Sequence, residues 1–252
     1  QTYGGDGGFV AVDPDESNYM YGEYVYLTIY RSTDGGNNYE EICGGIFEAN
    51  SSYCGGSDEA LFIAPFMLDP NNSNTMLAGA SSLWRTTNVK ALTPFWIPIK
   101  APLIKDIYGY TKYISSIAVG PGNSDIIWVG YENGEVYYTT NGTAGSPSWT
   151  QTGKNVLPER YVTRILIDKD NSNKVYVAFG GYDADNLYLT ANSGVSWTDI
   201  SGNIPSVPIR TIVRHPANAN WLYAGTEIGI YTSENGGTYW NANNEGPANV
   251  PV

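Results

Sequence analysis

The sequence is short of charge, of histidine, of cysteine and of long apolar runs, and each shortage excludes something. Charged residues are only 15% of the 252, and they are one-sided, with 25 Asp and Glu against 13 Lys and Arg for a formal net charge of −12. Such an acidic surface excludes bulk electrostatic attraction to nucleic acid or an anionic membrane, and it suits neutral ligands, cations or a basic partner. The single histidine, His215, stands in a repeated turn that it is expected to cap, which leaves none for a Ser-His-Asp relay or a histidine-based transition-metal centre. There is no CxxC pair and no phosphate-binding P-loop. No apolar stretch approaches the roughly 18 residues of a membrane helix. No signal peptide is visible, and a chain opening on Gln1 reads as processed or excised. The only cysteines are Cys43 and Cys54, in "CGGIFEANSSYC". They are either two reduced thiols or a disulfide, which the short glycine-rich segment closes easily and which implies an oxidising compartment.

What is abundant is turn and strand chemistry: 29 Gly, 14 Pro and 21 Tyr, a composition of short strands joined by tight turns. The chain also repeats. "VAVDPDESNYMY" from 10, "FMLDPNNSNTMLAG" from 66, "IAVGPGNSDIIWVG" from 117, "ILIDKDNSNKVYVAF" from 165 and "IVRHPANANWLYAG" from 212 each read as strand, tight turn, strand. Downstream, a hydroxyl residue, an Asp or Asn, a Gly and an aromatic recur at fixed spacing. The set is Ser32, Asp34, Gly36 and Tyr39; then Thr190, Asn192, Gly194 and Trp197; then Ser233, Asn235, Gly237 and Trp240. It is degraded at Thr86/Asn88, and at Thr139/Asn141, where an insertion precedes Trp149. In such a turn the hydroxyl and carboxylate or amide bond the loop's own backbone, glycine supplies positive φ and the aromatic packs beneath. His215 stands in the Asp position of the first turn and is expected to cap it.

The S-x-D-x-G-x-x-W box together with the D-P-x-N-S-N turn resembles the Asp-box (BNR-repeat) β-propeller superfamily, whose members include sialidases, xyloglucanases and sortilin-type receptors. The resemblance covers essentially the whole chain and implies an all-β propeller of four-stranded antiparallel blades. Residues 1–252 read as one propeller region with repeats at about 1–46, 60–99, 112–155, 161–203 and 207–252. The tail Val250-Pro251-Val252 aligns with Val207-Pro208-Ile209, as though a sixth unit were starting, so the five visible blades are expected to belong to a larger ring. Function is poorly specified by such a fold.

Both repeated turns fall on one edge of the blades, which marks that edge as scaffold. The irregular loops fall on the other, where function is expected. That edge carries Glu48, Tyr53, Asp58 and Glu59 around the cysteines, Tyr108, Tyr110 and Tyr113 in a long connection, Glu132, and the stretch "GGYDADN" with Tyr182, Asp183 and Asp185. Tyr108, Tyr110, Glu132, Tyr182 and Asp183 form the candidate ligand-binding set, as tyrosines beside carboxylates suit a glycan; taken one at a time, tyrosines more often fill gaps between blades. Asp183 and Asp185 also have calcium-like spacing; otherwise no cofactor is expected. "GGDGGF" at 4–9 resembles the setting of a catalytic Asp in xyloglucanases, making Asp6 the catalytic candidate if the chain is a hydrolase. Glycoside hydrolysis needs a second carboxylate, and none is assigned by motif. A sialidase, whose chemistry grips the substrate carboxylate with an arginine cluster, is disfavoured: of only six arginines, Arg31 and Arg85 read as solvated or packing residues, although Arg164 and Arg210 start inner strands near the axis. Asn50, Asn71 and Asn141 head glycosylation sequons. The expectation is an extracellular or cell-surface module binding a polysaccharide or an extracellular protein, with no nucleic acid and no membrane insertion. A glycoside hydrolase of β-glucan and an architectural module of a larger surface protein are the alternatives.

Overall fold

A computed structural model describes residues 6–104 and 107–242. The tail that aligns with a sixth unit lies outside the described residues, as do Gly4 and Gly5 of the glycine-rich stretch. Among the described residues there is no helix, and the strands form five antiparallel sheets in chain order. The first sheet holds β1 (Val10–Val12), β2 (Met20–Glu23), β3 (Ile29–Ser32) and β4 (Glu40–Glu41). The second holds β5 (Phe66–Asp69), β6 (Asn72–Gly79), β7 (Leu83–Thr86) and β8 (Ile97–Lys100). The third holds β9 (Ile114–Gly120), β10 (Asn123–Tyr131), β11 (Val136–Thr139) and β12 (Thr150–Thr152). The fourth holds β13 (Val162–Asp168), β14 (Asn171–Phe179), β15 (Leu187–Thr190) and β16 (Thr198–Asp199). The fifth differs from the four-stranded expectation. It has β17 (Ile209–Arg214), β18 (Leu222–Thr226) and β19 (Gly229–Ser233), with a single bridge from Thr232 to Asn241 where a fourth strand would pair. Sequential up-and-down sheets of this kind are propeller blades.

The turns form for local reasons. In the first sheet the Ser32 hydroxyl accepts the Gly36 N–H at 2.9 Å and donates to Asp34, whose Oδ1 accepts the N–H groups of Asn37 and Asn38. Thr190 with Asn192 and Ser233 with Asn235 make the same bonds around Gly194 and Gly237. Gly237 shows why glycine is required: its φ is 94°, and an added Cβ would lie 2.9 Å from the Cβ of Ile200. Each of the last four sheets also hooks its predecessor through an indole. Trp96 donates to the Ile42 carbonyl, Trp149 to that of Ile99, Trp197 to the Thr152 hydroxyl and Trp240 to the Ile200 carbonyl. Trp96 is therefore the aromatic of the second repeat, displaced by an insertion after Asn88. On the same edge Asp13, Asp69 and Asp168 cap the strand-to-strand turns, and Nδ1 of His215 accepts the Ala217 N–H in the same role.

The chain forms two compact units, residues 6–127 with 139–149, and residues 128–138 with 150–242. The first has a core of Leu27, Ile29, Ile46, Met76, Trp84 and Trp96 with neighbouring side chains, and the second one of Tyr176, Leu187, Ile209, Ile212 and Trp240 with theirs. Burial of such apolar area is the main stabilising force. Cys43 and Cys54 are joined in a disulfide.

Candidate functional site

In the second unit, the irregular loops bring charged and aromatic side chains together on the edge away from the hydroxyl–Asn–Gly turns. Arg160 and Tyr161 lead into β13, residues 180–186 join β14 to β15, Glu227 lies between β18 and β19, and Arg210 sits on β17. The loop at 180–186 is shaped by a buried amide: Asn186 donates to the carbonyls of Gly181, Asp183 and Val207 at 2.9, 2.9 and 3.0 Å. Tyr182 stands out of this loop, 71% exposed as a residue, while its hydroxyl donates to Glu227 Oε2 at 2.5 Å. Glu227 is in turn ion-paired with Arg210. The phenol donor and Arg210 hold the Glu227 carboxyl below its usual range, and the same bond raises the Tyr182 hydroxyl. Ring, carboxylate and guanidinium thus form a pinned chain, so the exposed ring has little rotamer freedom left to lose on binding.

Tyr161 is the second exposed ring of this edge. Burial raises its hydroxyl pKa, the Glu132 carboxylate adds to the rise, and Arg210 opposes it. Next to Glu132, a polar cavity of about 140 Å³ is lined by Asn133, Glu135, Gln151, Lys154 and Glu159 among others. Glu135 accepts from the Tyr137 hydroxyl at 2.8 Å and from Gln151 at 3.1 Å. Arg164, on β13, lies deep enough that burial lowers its pKa although its side chain keeps solvent contact.

Asp183 and Asp185, whose spacing is calcium-like, are both engaged by an arginine. Arg160 reaches both carboxylates, at 3.2 and 3.1 Å, and donates to the carbonyls of Ala184 and Asp185 as well. The guanidinium is the cation around which these acids gather. Among the described residues no group of three or more His, Cys, Asp or Glu side chains is placed to hold a metal ion. Asp185 Oδ2 also accepts from Tyr188, whose hydroxyl burial and then Asp185 push up to about 12.

The first unit holds the remaining sequence candidates. Tyr108 and Tyr110 are 78% and 67% exposed, with ring centroids 6.5 Å apart. Glu48 and Asp58 serve structure: Glu48 accepts from the Ser82 N–H, the Ser82 hydroxyl and the Trp84 indole, and Asp58 accepts from the backbone and hydroxyl of Ser51. The three sequon asparagines are likewise bonded: Asn50 and Asn141 accept from nearby backbone N–H groups, while Asn71 donates to the Gly120 carbonyl and accepts the Gly122 N–H of the next repeat. Arg31 and Arg85 are buried and bonded to backbone carbonyls, which agrees with the packing alternative of their reading and not with the solvated one.

Asp6 is exposed at the start of the described chain. The informative carboxyl nearby is one that sequence reasoning missed, Glu23. It is fully buried, Oε1 accepts the N–H groups of Ala64 and Leu27 at 2.9 and 3.3 Å, and Oε2 has no partner. A Cβ on Gly8 would lie 1.6 Å from that Oε2, so the glycine is there to admit the carboxyl. Burial raises Glu23 to about 7, against the opposing effect of Ala64, Leu27 and Phe9 N–H groups. It supports an unusual turn in which Tyr26 and Leu27 both have positive φ, 51° and 63°, a conformation bulky residues rarely adopt. The available signal was a lone Glu in the apolar stretch "MYGEYVY".

No family model matches the chain, and no curated protein matches it in sequence. Among solved structures it is similar to an ancestral GH74 enzyme, with 22% identity and a TM-score of 0.68 over 94% of this chain and 31% of that one. It is similar also to the GH74 enzyme of Niastella koreensis, with 22% identity and a TM-score of 0.65 over 93% of this chain and 38% of that one. A third is YCF48 from Cyanidioschyzon merolae, with 15% identity and a TM-score of 0.59 over 91% and 69% of the two chains. The chain spans about a third of the length of the GH74 enzymes it matches. At these identities the likeness establishes the β-propeller fold.

Proposed function

We propose that this chain is an Asp-box propeller module, secreted or displayed on a cell surface, that binds a neutral glycan on the loop edge of its second unit without cleaving it. The observation that carries the reading is Tyr182: a residue 71% exposed, fixed in place by the Glu227–Arg210 pair. An exposed aromatic held rigidly beside carboxylates, amides and a guanidinium is the arrangement that stacks on a pyranose face and bonds its hydroxyls. Tyr161 and the polar cavity beside Glu132 extend that surface, and Tyr108 with Tyr110 offers a further pair of rings in the first unit. The net charge of −12 favours a neutral over an acidic glycan.

Hydrolysis is the weaker reading, although the fold is shared with GH74 enzymes. A glycosidase needs an accessible general acid with a raised pKa. Glu23 has the raised pKa but no solvent contact, and Glu227 is accessible but held ionised. Affinity electrophoresis through gels containing xyloglucan or mixed-linkage β-glucan tests the proposal with Tyr182→Ala and Tyr182→Phe. The wild type is expected to be retarded, Tyr182→Ala to bind about tenfold more weakly, a loss of about 1.4 kcal/mol, and Tyr182→Phe to lie between. Retardation of Tyr182→Ala equal to that of wild type refutes this site.

A further inference from the structure

The first unit carries a polar site of its own beside its strand-to-strand turns, and the internal repeat shows what is missing from it. Arg31 and Arg85 occupy equivalent places in β3 and β7, each just before the hydroxyl residue of its turn. Both bond two backbone carbonyls of the next repeat, Arg31 those of Val89 and Ala91 through Nη1 alone, Arg85 those of Gly142 and Ala144 through Nη1 and Nη2. Across the ladder from Arg31 stands Glu40, which accepts its Nε at 3.1 Å and its Nη2. Across the ladder from Arg85 stands Ile97. Arg85 is therefore a guanidinium, only 7% exposed, without its carboxylate, and its Nε is buried with no partner. Burial lowers its pKa, with partial compensation from Asp125.

The same comparison finds an unmatched carboxylate. Asp13 and Asp168, at the turn-capping position of the first and fourth sheets, are ion-paired with Lys90 and Arg214. Asp69 holds that position in the second sheet, caps the Asn71 N–H and has no ion pair among the described residues. Arg85 and Asp69 do not pair with one another. Both line a cavity of about 170 Å³, whose walls also include Thr75, Thr87, Ser124 and Asn72. One cavity thus displays a cation lacking an anion and an anion lacking a cation, with hydroxyls and an amide between them.

We propose that this cavity binds a small zwitterion of the α-amino-acid class, its carboxylate accepting from the unpartnered Nε of Arg85 and from the Nη2 N–H not used by Ala144, and its ammonium facing Asp69. A buried guanidinium and carboxylate each gain a charge-assisted bond from such a ligand, and together they select against a ligand carrying only one of the charges. The volume suits a ligand of glycine or alanine size; unfilled, it would hold a few waters.

The test is a titration of the intact chain with L-alanine, sodium acetate and methylammonium chloride at constant ionic strength, following the backbone amides of Gly142 and Thr143 by NMR. L-Alanine is expected to saturate these shifts and to bind about tenfold more tightly than either singly charged probe. Two variants each remove one half of the site while keeping its shape. Ile97→Glu supplies Arg85 with the carboxylate that Arg31 already has, and Asp69→Asn keeps the cap on Asn71 but removes the charge. Both are expected to lose saturable alanine binding with the spectrum otherwise folded. Absence of saturable alanine binding by wild type, acetate binding as tight as alanine, or undiminished binding by Ile97→Glu each overturns the proposal.

Discussion

The buried carboxyl of Glu23 makes the stability of this protein depend on pH in a direction opposite to ordinary acid denaturation. Its ionisation moves from an ordinary 4.5 to about 7 in the folded chain, chiefly through desolvation. A raised carboxyl binds its proton more tightly when folded, so the folded state is most favoured where Glu23 is protonated in both states, below about pH 4.5. As pH rises from there the unfolded chain releases the proton first, and stability falls until the folded-state pKa near 7 is passed. At about 1.4 kcal/mol per pH unit, a displacement of that size is worth about 3 kcal/mol. Glu23 is fully buried, so solvent screening does not reduce the figure. Glutamine can accept the Ala64 and Leu27 N–H groups through its oxygen but cannot ionise. Urea unfolding of wild type and Glu23→Gln, with the disulfide oxidised, should therefore give a stability difference that shifts by about 3 kcal/mol against wild type between pH 4.5 and 7.5. Taking the difference cancels Asp34, Asp125, Asp170 and Glu227, whose pKa values are lowered and whose contributions are lost in acid. A difference that stays flat across this window would refute the reasoning about the buried carboxyl.

Two further outcomes are expected. Reducing the Cys43–Cys54 bridge, which spans 11 residues of sequence, should lower stability by about 3 kcal/mol by the loop-closure argument; unchanged urea midpoints with and without reductant would contradict it. Trp240→Phe should cost about 2 kcal/mol, because the indole is fully buried and its N–H satisfies the Ile200 carbonyl, whereas Tyr239→Ala, on a largely exposed ring, should stay within about 0.5 kcal/mol; equal losses would mean that the indole hook does not bear on stability.

The repeats were legible because their physics is local. Ser32, Asp34 and Gly36 satisfy one another within four residues, so the turn is written into consecutive letters, and His215 could be read as a cap for the same reason. The indole of Trp96 was not legible, since an insertion breaks its spacing and only its bond to Ile42, 54 residues away, identifies it. The loop-edge site was half legible. Tyr182 and Asp183 announce themselves by type, but the groups bonded to them, Glu227 and Arg160, lie 45 and 23 residues away in sequence. At Asp183 and Asp185 the arginine was not legible, because carboxylate spacing reads the same whether the cation is calcium or a distant guanidinium. Glu23 escaped because its turn, Tyr26-Leu27, carries none of the Gly, Asn or Asp that normally mark positive φ.

Recognition without turnover is the central claim, and one incubation tests it directly. The purified chain would be held with xyloglucan and with mixed-linkage β-glucan, and bound protein and newly formed reducing ends would be measured in the same samples over a day. The account predicts saturable retention on at least one neutral glycan, sensitive to Tyr182→Ala, with no reducing ends above the protein-free control. Reducing ends that accumulate in proportion to protein, or no retention on any neutral glycan, would contradict it.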